Sequence, residues 1–294
     1  METLEQAHQP CPDCGSSDAL AIYTNNTYCY SCLTWKPLKG KEHLPMPTTA
    51  PTRAMQSYDQ LSCEAIPKRK IELSTANKYN VKVGLINNKD VHVYPYYKKD
   101  GTHVSNKIRI VDEKKFYSEG EQGVETMLFG QNLFAEKGKY ITICEGEVDC
   151  LSIYQMFGSK WPVVSVRNGS AGALSEVKRN LDYLNTFQNI VLCFDSDPQG
   201  QKATKQIANL LEPGKCKVMR LEMKDANEYL MKGKSSVFVS EFWNARTYTP
   251  EGIVCGPDIR EKLLSEKTIH SLPYPWDGLN EITYGMRKNE LVLV

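Results

Sequence analysis

No apolar run in the sequence approaches the roughly 18 residues needed to span a bilayer, so no membrane partner is expected. The first ten residues contain neither a basic cluster nor an apolar stretch, so a secretory signal is not expected and a reducing cytoplasm is. An excess of one charge is also missing. The 36 basic residues nearly balance 35 acidic ones, leaving +1, which argues against a wholesale polyanion coat but leaves local patches open. With 24% charged and 41% apolar residues, the chain has neither the charge excess nor the hydrophobic poverty of a disordered protein. Its 294 residues suggest two domains, or one large domain with an appendage. What is abundant is cysteine, at ten residues.

Four of the ten fall in one stretch: Cys11-Pro12-Asp13-Cys14, then fourteen residues, then Cys29-Tyr30-Ser31-Cys32. Each Cys-x-x-Cys can place two sulfurs on one knuckle, and two knuckles together supply four thiolates to a tetrahedral zinc ion. The competing readings are disulfides, disfavoured in a reducing compartment, or two unrelated pairs. A zinc ribbon over residues 1–42 has almost no core of its own, so metal binding would supply its folding energy. Tyr23, Asn26 and Tyr28 fall in the expected hairpin, with Tyr30 and Trp35 just after it. The aromatic rings either stack on nucleic-acid bases or form the ribbon's small core. Cys63, Cys144, Cys150, Cys193, Cys216 and Cys255 are scattered, and Cys144 and Cys193 read as small buried hydrophobes.

Residues 43–60 contain Pro45, Pro47 and Pro51 without an apolar period, and read as a flexible linker that tethers the ribbon. Globular sequence follows. Thr75 to Val81 predicts a short helix, and Val91–Tyr97 and His103–Ile110 predict strands joined by a turn at Lys99-Asp100-Gly101. Residues 61–120 hold twelve Lys or Arg against seven Asp or Glu, a local +5 hidden by the neutral total. Lys107 and Arg109 project from one face of their strand, with Lys114 and Lys115 shortly after. Such a cluster either holds phosphates or is an ordinary solvated strand face.

From Lys139 the pattern becomes strand–helix repeats. Strands are expected at 140–144, 161–166, 190–194 and 215–223, with helices at 148–157, 175–184 and 200–211. That alternation predicts an α/β unit over residues 138–251, built on a parallel sheet. Ligands bind such sheets beyond the carboxyl ends of the strands. Three strand ends deliver acids there: Glu145 to Asp149, Asp195-Ser196-Asp197, and Asp225 to Glu228. Crowded carboxylates raise one another's pKa unless a cation neutralises them, and an all-oxygen set without histidine favours Mg²⁺ or Mn²⁺. Asp225 with Glu228 also resembles a helix N-cap pair, and Asp149 an ordinary first-turn acid. Acids directly after apolar strands, at Glu145 and at Asp195 with Asp197, have no comparable packing explanation.

Cys-Glu-Gly-Glu-Val-Asp with Cys-Phe-Asp-Ser-Asp-Pro-Gln-Gly-Gln-Lys-Ala resembles the TOPRIM fold of DnaG-type primases, topoisomerases and some nucleases. The four-cysteine ribbon narrows the resemblance to primases. With 104–109 and Lys224 to Glu228 added, essentially the whole chain is similar to the primase half of the T-odd phage primase–helicases. The resemblance implies an α/β fold, α+β overall: a zinc ribbon tethered to a TOPRIM-type RNA polymerase domain with a mixed or parallel sheet. Residues 61–137 would form its basic subdomain and 138–251 its TOPRIM subdomain. It implies Glu145, Asp195 and Asp197 as catalytic ligands of one or two Mg²⁺ or Mn²⁺ ions, with Asp149 and Asp225 supporting. It implies Lys107 and Arg109, with Lys114 or Lys115, facing nucleotide phosphates, and one structural Zn²⁺ on Cys11, Cys14, Cys29 and Cys32. In the family the ribbon selects the template sequence, and in this chain Tyr23, Asn26, Tyr28 and Trp35 are the candidate template-binding positions. Two departures bear on the preferred template trinucleotide. Asn168-Gly169, preceded by Arg167, stands where the family has His-Gly, and Asn26 stands where a ribbon has histidine.

The implied activity is synthesis of short RNA primers from ribonucleoside triphosphates on single-stranded DNA for lagging-strand replication. Implied partners are a replicative DNA polymerase and the helicase domain of a longer, hexameric protein, in a phage host's cytoplasm. The rival expectations are a TOPRIM nuclease using the same acids, and a non-enzymatic ribbon adaptor. Residues 252–270, with an amphipathic helix at 258–264, read as a linker. Residues 271–294 read as the start of a helicase domain whose final strand is followed by no Gly-Lys-Ser/Thr loop, so the sequence is expected to be a cut through a larger protein.

Overall fold

A computed structural model of the chain describes residues 4–13, 15–24, 26–31, 34–38, 53–113, 115–121, 125–250, 260, 264 and 271–287. Cys14, Cys32, Lys114, the proline-rich stretch 39–52 and most of the 252–270 segment lie outside the described residues, as do the side chain of Trp35 and the final strand from 288. Two compact units emerge, Met1–Tyr248 and Thr249–Val294. Among the described residues no helix is long and apolar enough to cross a membrane.

The first unit opens with β1 (Leu4–Gln9), β2 (Leu20–Tyr23), β3 (Asn26–Cys29) and β4 (Trp35–Pro37), antiparallel and ordered 1-2-3-4. Cys11 and Cys29 are buried, and each knuckle closes on itself through Gly15 N–H to Cys11 O and Cys29 N–H to Thr34 O, both 2.9 Å. The prolines predict a ribbon held away from the next domain. Instead the Ser31 carbonyl lies only 3.2 Å from where a Cβ on Gly172 would stand, so ribbon and helix backbone touch.

A five-stranded antiparallel meander follows: β5 (Ser62–Cys63), β6 (Lys82–Ile86), β7 (Lys89–Tyr97), β8 (His103–Ile110) and β9 (Lys115–Gly120). Helix α1 (Leu73–Lys78) precedes β6, starting two residues before the sequence expectation. The expected turn between β7 and β8 forms, with Gly101 at φ +84.

The central sheet contains β10 (Gly138–Cys144), β11 (Val163–Ser165), β12 (Phe187–Cys193), β13 (Cys216–Val218) and β14 (Arg246–Thr247), ordered 11-10-12-13-14. All pairs are parallel except the antiparallel edge strand β14, so the sheet is mixed. Helices α2 (Glu147–Met156), α3 (Gly169–Arg179), α4 (Leu181–Leu184), α5 (Pro198–Leu210), α6 (Ala226–Met231) and α7 (Ser235–Trp243) cover it. Ile141, Thr142, Ile143 and Cys144 are all buried, as expected for a parallel strand covered on both faces.

Two elements differ from the sequence reading. The fourth strand ends at Val218 because the Glu222 and Met223 amides donate to the Tyr229 hydroxyl (2.6 and 3.2 Å), which turns the chain under α6. The helix expected at 175–184 begins at Gly169 and breaks at Asn180, whose amide donates to the Glu176 carbonyl at 3.0 Å. Helix α7 has no counterpart in the sequence reading.

One hydrophobic core runs between the meander and the central sheet. Tyr79, Tyr94, Tyr96 and Phe129 pack with Cys144, Leu151, Tyr154 and Val163. The Tyr79 ring stacks on Phe129 at 5.4 Å and meets Tyr154 edge-on at 5.2 Å, while its hydroxyl donates to the Val163 carbonyl at 2.9 Å. A second core, around Ile143, Val164, Phe187, Leu192 and Ile207, fills the opposite side of the central sheet. In the second unit, β15 (Ser271–Leu272) pairs antiparallel with β16 (Met286–Arg287), and Asp277–Thr283 is a short helix.

Helix α5 is pressed against the strand it follows, and a Cβ at Gly200 would overlap the Asp195 carbonyl oxygen. Gly200→Ala should therefore cost about 1–3 kcal/mol in urea unfolding, with an unchanged transition slope. A variant as stable as wild type would contradict this close approach.

Candidate active site

The parallel register brings the acids together. Cys144 pairs with Cys193, so Glu145 and Asp195 leave neighbouring strand ends side by side. Glu145 Oε1 accepts the Ser170 amide at 3.2 Å, capping α3 from another element, while Glu145 Oε2 is buried with no hydrogen-bond partner. Asp149, in the first turn of α2, accepts the Asn227 amide at 3.1 Å. Asn227 also donates to Ser152 Oγ (2.9 Å) and the Arg69 carbonyl (3.0 Å), and accepts from Arg69 (3.1 Å), so it ties the helix that carries Asp149 to α6 and to the Arg69 turn.

Asp197 and Asp225 have local tasks. Asp197 is the N-cap of α5, accepting the Gly200 amide at 2.8 Å ahead of Pro198. Asp225 is the N-cap of α6, accepting the Glu228 amide at 2.8 Å, as the sequence pair suggested. Neither lines the cavity described next, whereas Glu145, Asp149 and Asp195 do.

That cavity, of about 1030 Å³, is walled by the acids on one side and by β8 and β9 on the other. Lys107, Arg109 and Phe116 line it together, with Phe116 half-exposed beneath both cations at 4.9 and 5.4 Å. Arg53, Lys224 and the ribbon residues Ser16, Asp18 and Tyr30 complete the wall. Lys115 points elsewhere and pairs with Glu113 at 3.0 Å. Of the ribbon positions singled out by sequence, Asn26 is buried within the ribbon and Tyr23 bonds the Tyr30 hydroxyl at 2.6 Å. Tyr28 meets Tyr30 edge-on at 5.0 Å, so the exposed Tyr30 is the ring that reaches the cavity.

Lys107 has an internal partner that sequence reasoning missed. Its ammonium bonds both oxygens of the buried Glu147 (2.8 and 3.0 Å) and the Arg167 carbonyl, while the Tyr96 hydroxyl donates to Glu147. The only sequence trace of this pair is an acid in the first turn of a helix whose other residues are largely buried. Arg109 Nε, by contrast, is buried with no hydrogen-bond partner.

Crowding and burial raise the acids. Burial, then the charges of Asp225 and Asp195, push Asp149 up to about 8. Burial, then Glu145, Asp225 and Asp197, push Asp195 up to about 7, and Glu145 is raised chiefly by burial. Among the described residues, no three His, Cys, Asp or Glu converge on a metal-sized point. The chemistry nevertheless fits a divalent cation: the donors are all oxygen, one is buried and unpartnered, and their charges repel.

Both folded pKa values lie above the unfolded value near ~3.9, so the associated stability is present at low pH and lost as pH rises through about 7–8. In EDTA, Asp149→Asn should be more stable than wild type by about 1–2 kcal/mol at pH 8.5, and the gap should close towards pH 4. A gap independent of pH would refute the assigned strain. Lys107→Met should cost about 3 kcal/mol by stranding the buried Glu147, and much of that should return in the Lys107→Met/Glu147→Gln double variant. Additive losses would mean the pair is not coupled.

Comparisons with known proteins agree with this architecture. Residues 142–230 match the Toprim-like family, and residues 62–120 match the N-terminal α+β fold of bacteriophage T7 DNA helicase/primase. The chain is 31% identical over 301 residues to the DNA helicase/primase of Enterobacteria phage T3, across 98% of this chain and 53% of that protein, so it spans about half the length of that curated relative. The crystal structure of the primase fragment of the bacteriophage T7 primase–helicase is similar with a TM-score of 0.61 and 31% identity, covering 81% of this chain and 99% of that one. A T7 primase chain, in a structure of lagging-strand DNA polymerase with primase domains of two subunits bound to an RNA/DNA hybrid and dTTP, gives a TM-score of 0.63 and 31% identity, covering 67% and 100%. With identity at this level across the complete T7 fragment, the chain belongs to the primase family of the T3 and T7 phage primase–helicases.

Proposed function

We propose that this chain synthesises short RNA primers from ribonucleoside triphosphates on single-stranded DNA. The observation that carries the reading is the cavity itself, with Glu145, Asp149 and Asp195 on one wall and Lys107 and Arg109 on the other. A growing strand and a triphosphate need both: acids to hold a cation where bonds change, and cations against the phosphates.

In the reaction, the primer 3′-hydroxyl oxygen bonds to the α-phosphorus as the bond to the β-phosphate bridging oxygen breaks. The hydroxyl proton is lost and pyrophosphate leaves. Mg²⁺ or Mn²⁺ bound by Glu145, Asp195 and Asp197 would supply Lewis-acid polarisation of the phosphoryl oxygen and a lower pKa for the attacking hydroxyl. Lys107 is a fixed positive group whose direction is set by Glu147, so no reorganisation is needed when a triphosphate arrives. Arg109 offers its unpartnered Nε to a phosphate oxygen, and Asn227 holds Asp149 beside Asp195 and Asp225. The half-exposed Phe116 gives a base a stacking face between the cations.

The ribbon would hold one structural zinc ion through Cys11, Cys14, Cys29 and Cys32, and present template through Tyr30 and the neighbouring Tyr28. The T7 primase domains meet a DNA polymerase and hold an RNA/DNA hybrid. For this chain we infer the same class of partners: a replicative polymerase, and a helicase domain in the longer protein.

Single-stranded DNA, labelled ATP and CTP and Mg²⁺ should yield short oligoribonucleotides, and EDTA should abolish them. Asp195→Ala should lower synthesis about 100-fold or more, the scale of losing one electrostatic stabiliser. Degraded template without new RNA would favour a nuclease, and full synthesis by Asp195→Ala would overturn the metal assignment.

A further inference from the structure

The fold uses only part of the hydrogen-bonding capacity of the Arg167 guanidinium. It follows β11 in the loop before α3, and only 6% of its surface is exposed. Its Nη1 donates to Ser105 Oγ at 3.0 Å, but Nε and Nη2 are buried with no hydrogen-bond partner. The guanidinium carbon lies 4.5 Å from the centre of the Tyr96 ring, which fixes its plane.

The nearby acid does not account for this arginine. Glu176 is satisfied by backbone and amide donors: Arg167 N–H at 2.6 Å, Asn168 N–H at 3.1 Å and Asn168 Nδ2 at 2.9 Å. Glu147, another buried acid, is taken by Lys107 and Tyr96. Two unpartnered donors on a buried guanidinium are costly unless something outside the chain accepts from them. Arg167 lines the same cavity as Lys107 and Arg109, and its own carbonyl receives the Lys107 ammonium, which ties its position to that basic strand. Arg109 presents a further unpartnered Nε.

We propose that Arg167 is a phosphate-binding residue: its buried, unpartnered Nε–Nη2 edge, the fork that suits two oxygens of one phosphate, takes a phosphate group that enters the cavity lined by Arg167 and Arg109. The chemistry is shared by the triphosphate of a free nucleotide and the backbone of a nucleic-acid strand. Placing that phosphate in a polymerase cavity rests on the primase reading above, whereas the anion site itself rests only on the two unpartnered donors and the cavity that Arg167 lines.

Equilibrium binding on the intact chain separates the sources, with tripolyphosphate, CTP and single-stranded DNA as probes. Loss of two charge-assisted hydrogen bonds should weaken the recognised probe about 10- to 100-fold in Arg167→Gln, and Arg167→Lys should recover only part of it. A loss confined to tripolyphosphate and CTP assigns the nucleotide tail, with KM for CTP raised and kcat nearly unchanged. A loss confined to DNA assigns the backbone. Should Arg167→Gln fold poorly, Ser105→Ala keeps the charge but frees Nη1, and should weaken the same probe about two- to fivefold at an unchanged melting temperature. Primer synthesis with all three affinities unchanged in Arg167→Gln and in Ser105→Ala would overturn the site and leave the primase reading standing. No primer synthesis, with Arg167-dependent tripolyphosphate binding, would overturn the primase reading and leave the site standing.

Discussion

The site depends on the parallel register of β10 and β12. Once Cys144 lies opposite Cys193, both strands must end at the same rim, where Glu145 follows the first directly and Asp195 follows the second after the buried Phe194. Helices α2 and α5 start directly afterwards and bury the rim from above, so the carboxylates lose water as well as distance. Burial is the first cause of the raised pKa at Asp195 and at Asp149, with neighbouring carboxylate charge second. The fold keeps this repulsion because the same crowding makes the rim attractive to a cation.

The opposite charge arrives from a different sheet, and a shared aromatic core brings it there. Tyr79, Tyr94, Tyr96 and Phe129 pack with the residues beneath β10 and α2, so β8 cannot move independently of the acids. Lys107 is then locked by Glu147, and the Tyr96 hydroxyl joins the same carboxylate. A buried pair of this kind contributes little net stability but penalises any arrangement that separates its partners. It acts as a registration pin between the basic strand and the acidic rim, and it leaves buried donors of Arg109 and Arg167 on the cavity lining without a partner.

Much of this was legible in the residues. Apolar strands ending in Glu145 and in Asp195, alternation of strands with helices, and the Lys99-Asp100-Gly101 turn each depend on neighbours within a few positions. The N-cap at Asp225 was legible for the same reason. Element ends that depend on distant groups were not: β13 stops early because the Tyr229 hydroxyl takes two of the following amides, and α3 starts early because Glu145 receives the Ser170 amide. The second task of Asp197 was hidden in the same way: one of its oxygens caps α5 through the Gly200 amide while its charge still raises Asp195.

By itself, then, the sequence determined which chemistry the chain carries: knuckle cysteines at ribbon spacing, acids at strand ends, and a strand with two cations on one face. These are patterns of period two, three or four, set by backbone geometry and readable in one dimension. Only the tertiary structure decided which groups are spent on one another. Lys107 meets Glu147 forty residues away, Asp149 meets Asn227 seventy-eight away, and two guanidinium donors of Arg167 are left without a partner. Such pairings follow from how two sheets share a core, and long-range packing leaves no local periodicity from which to read them.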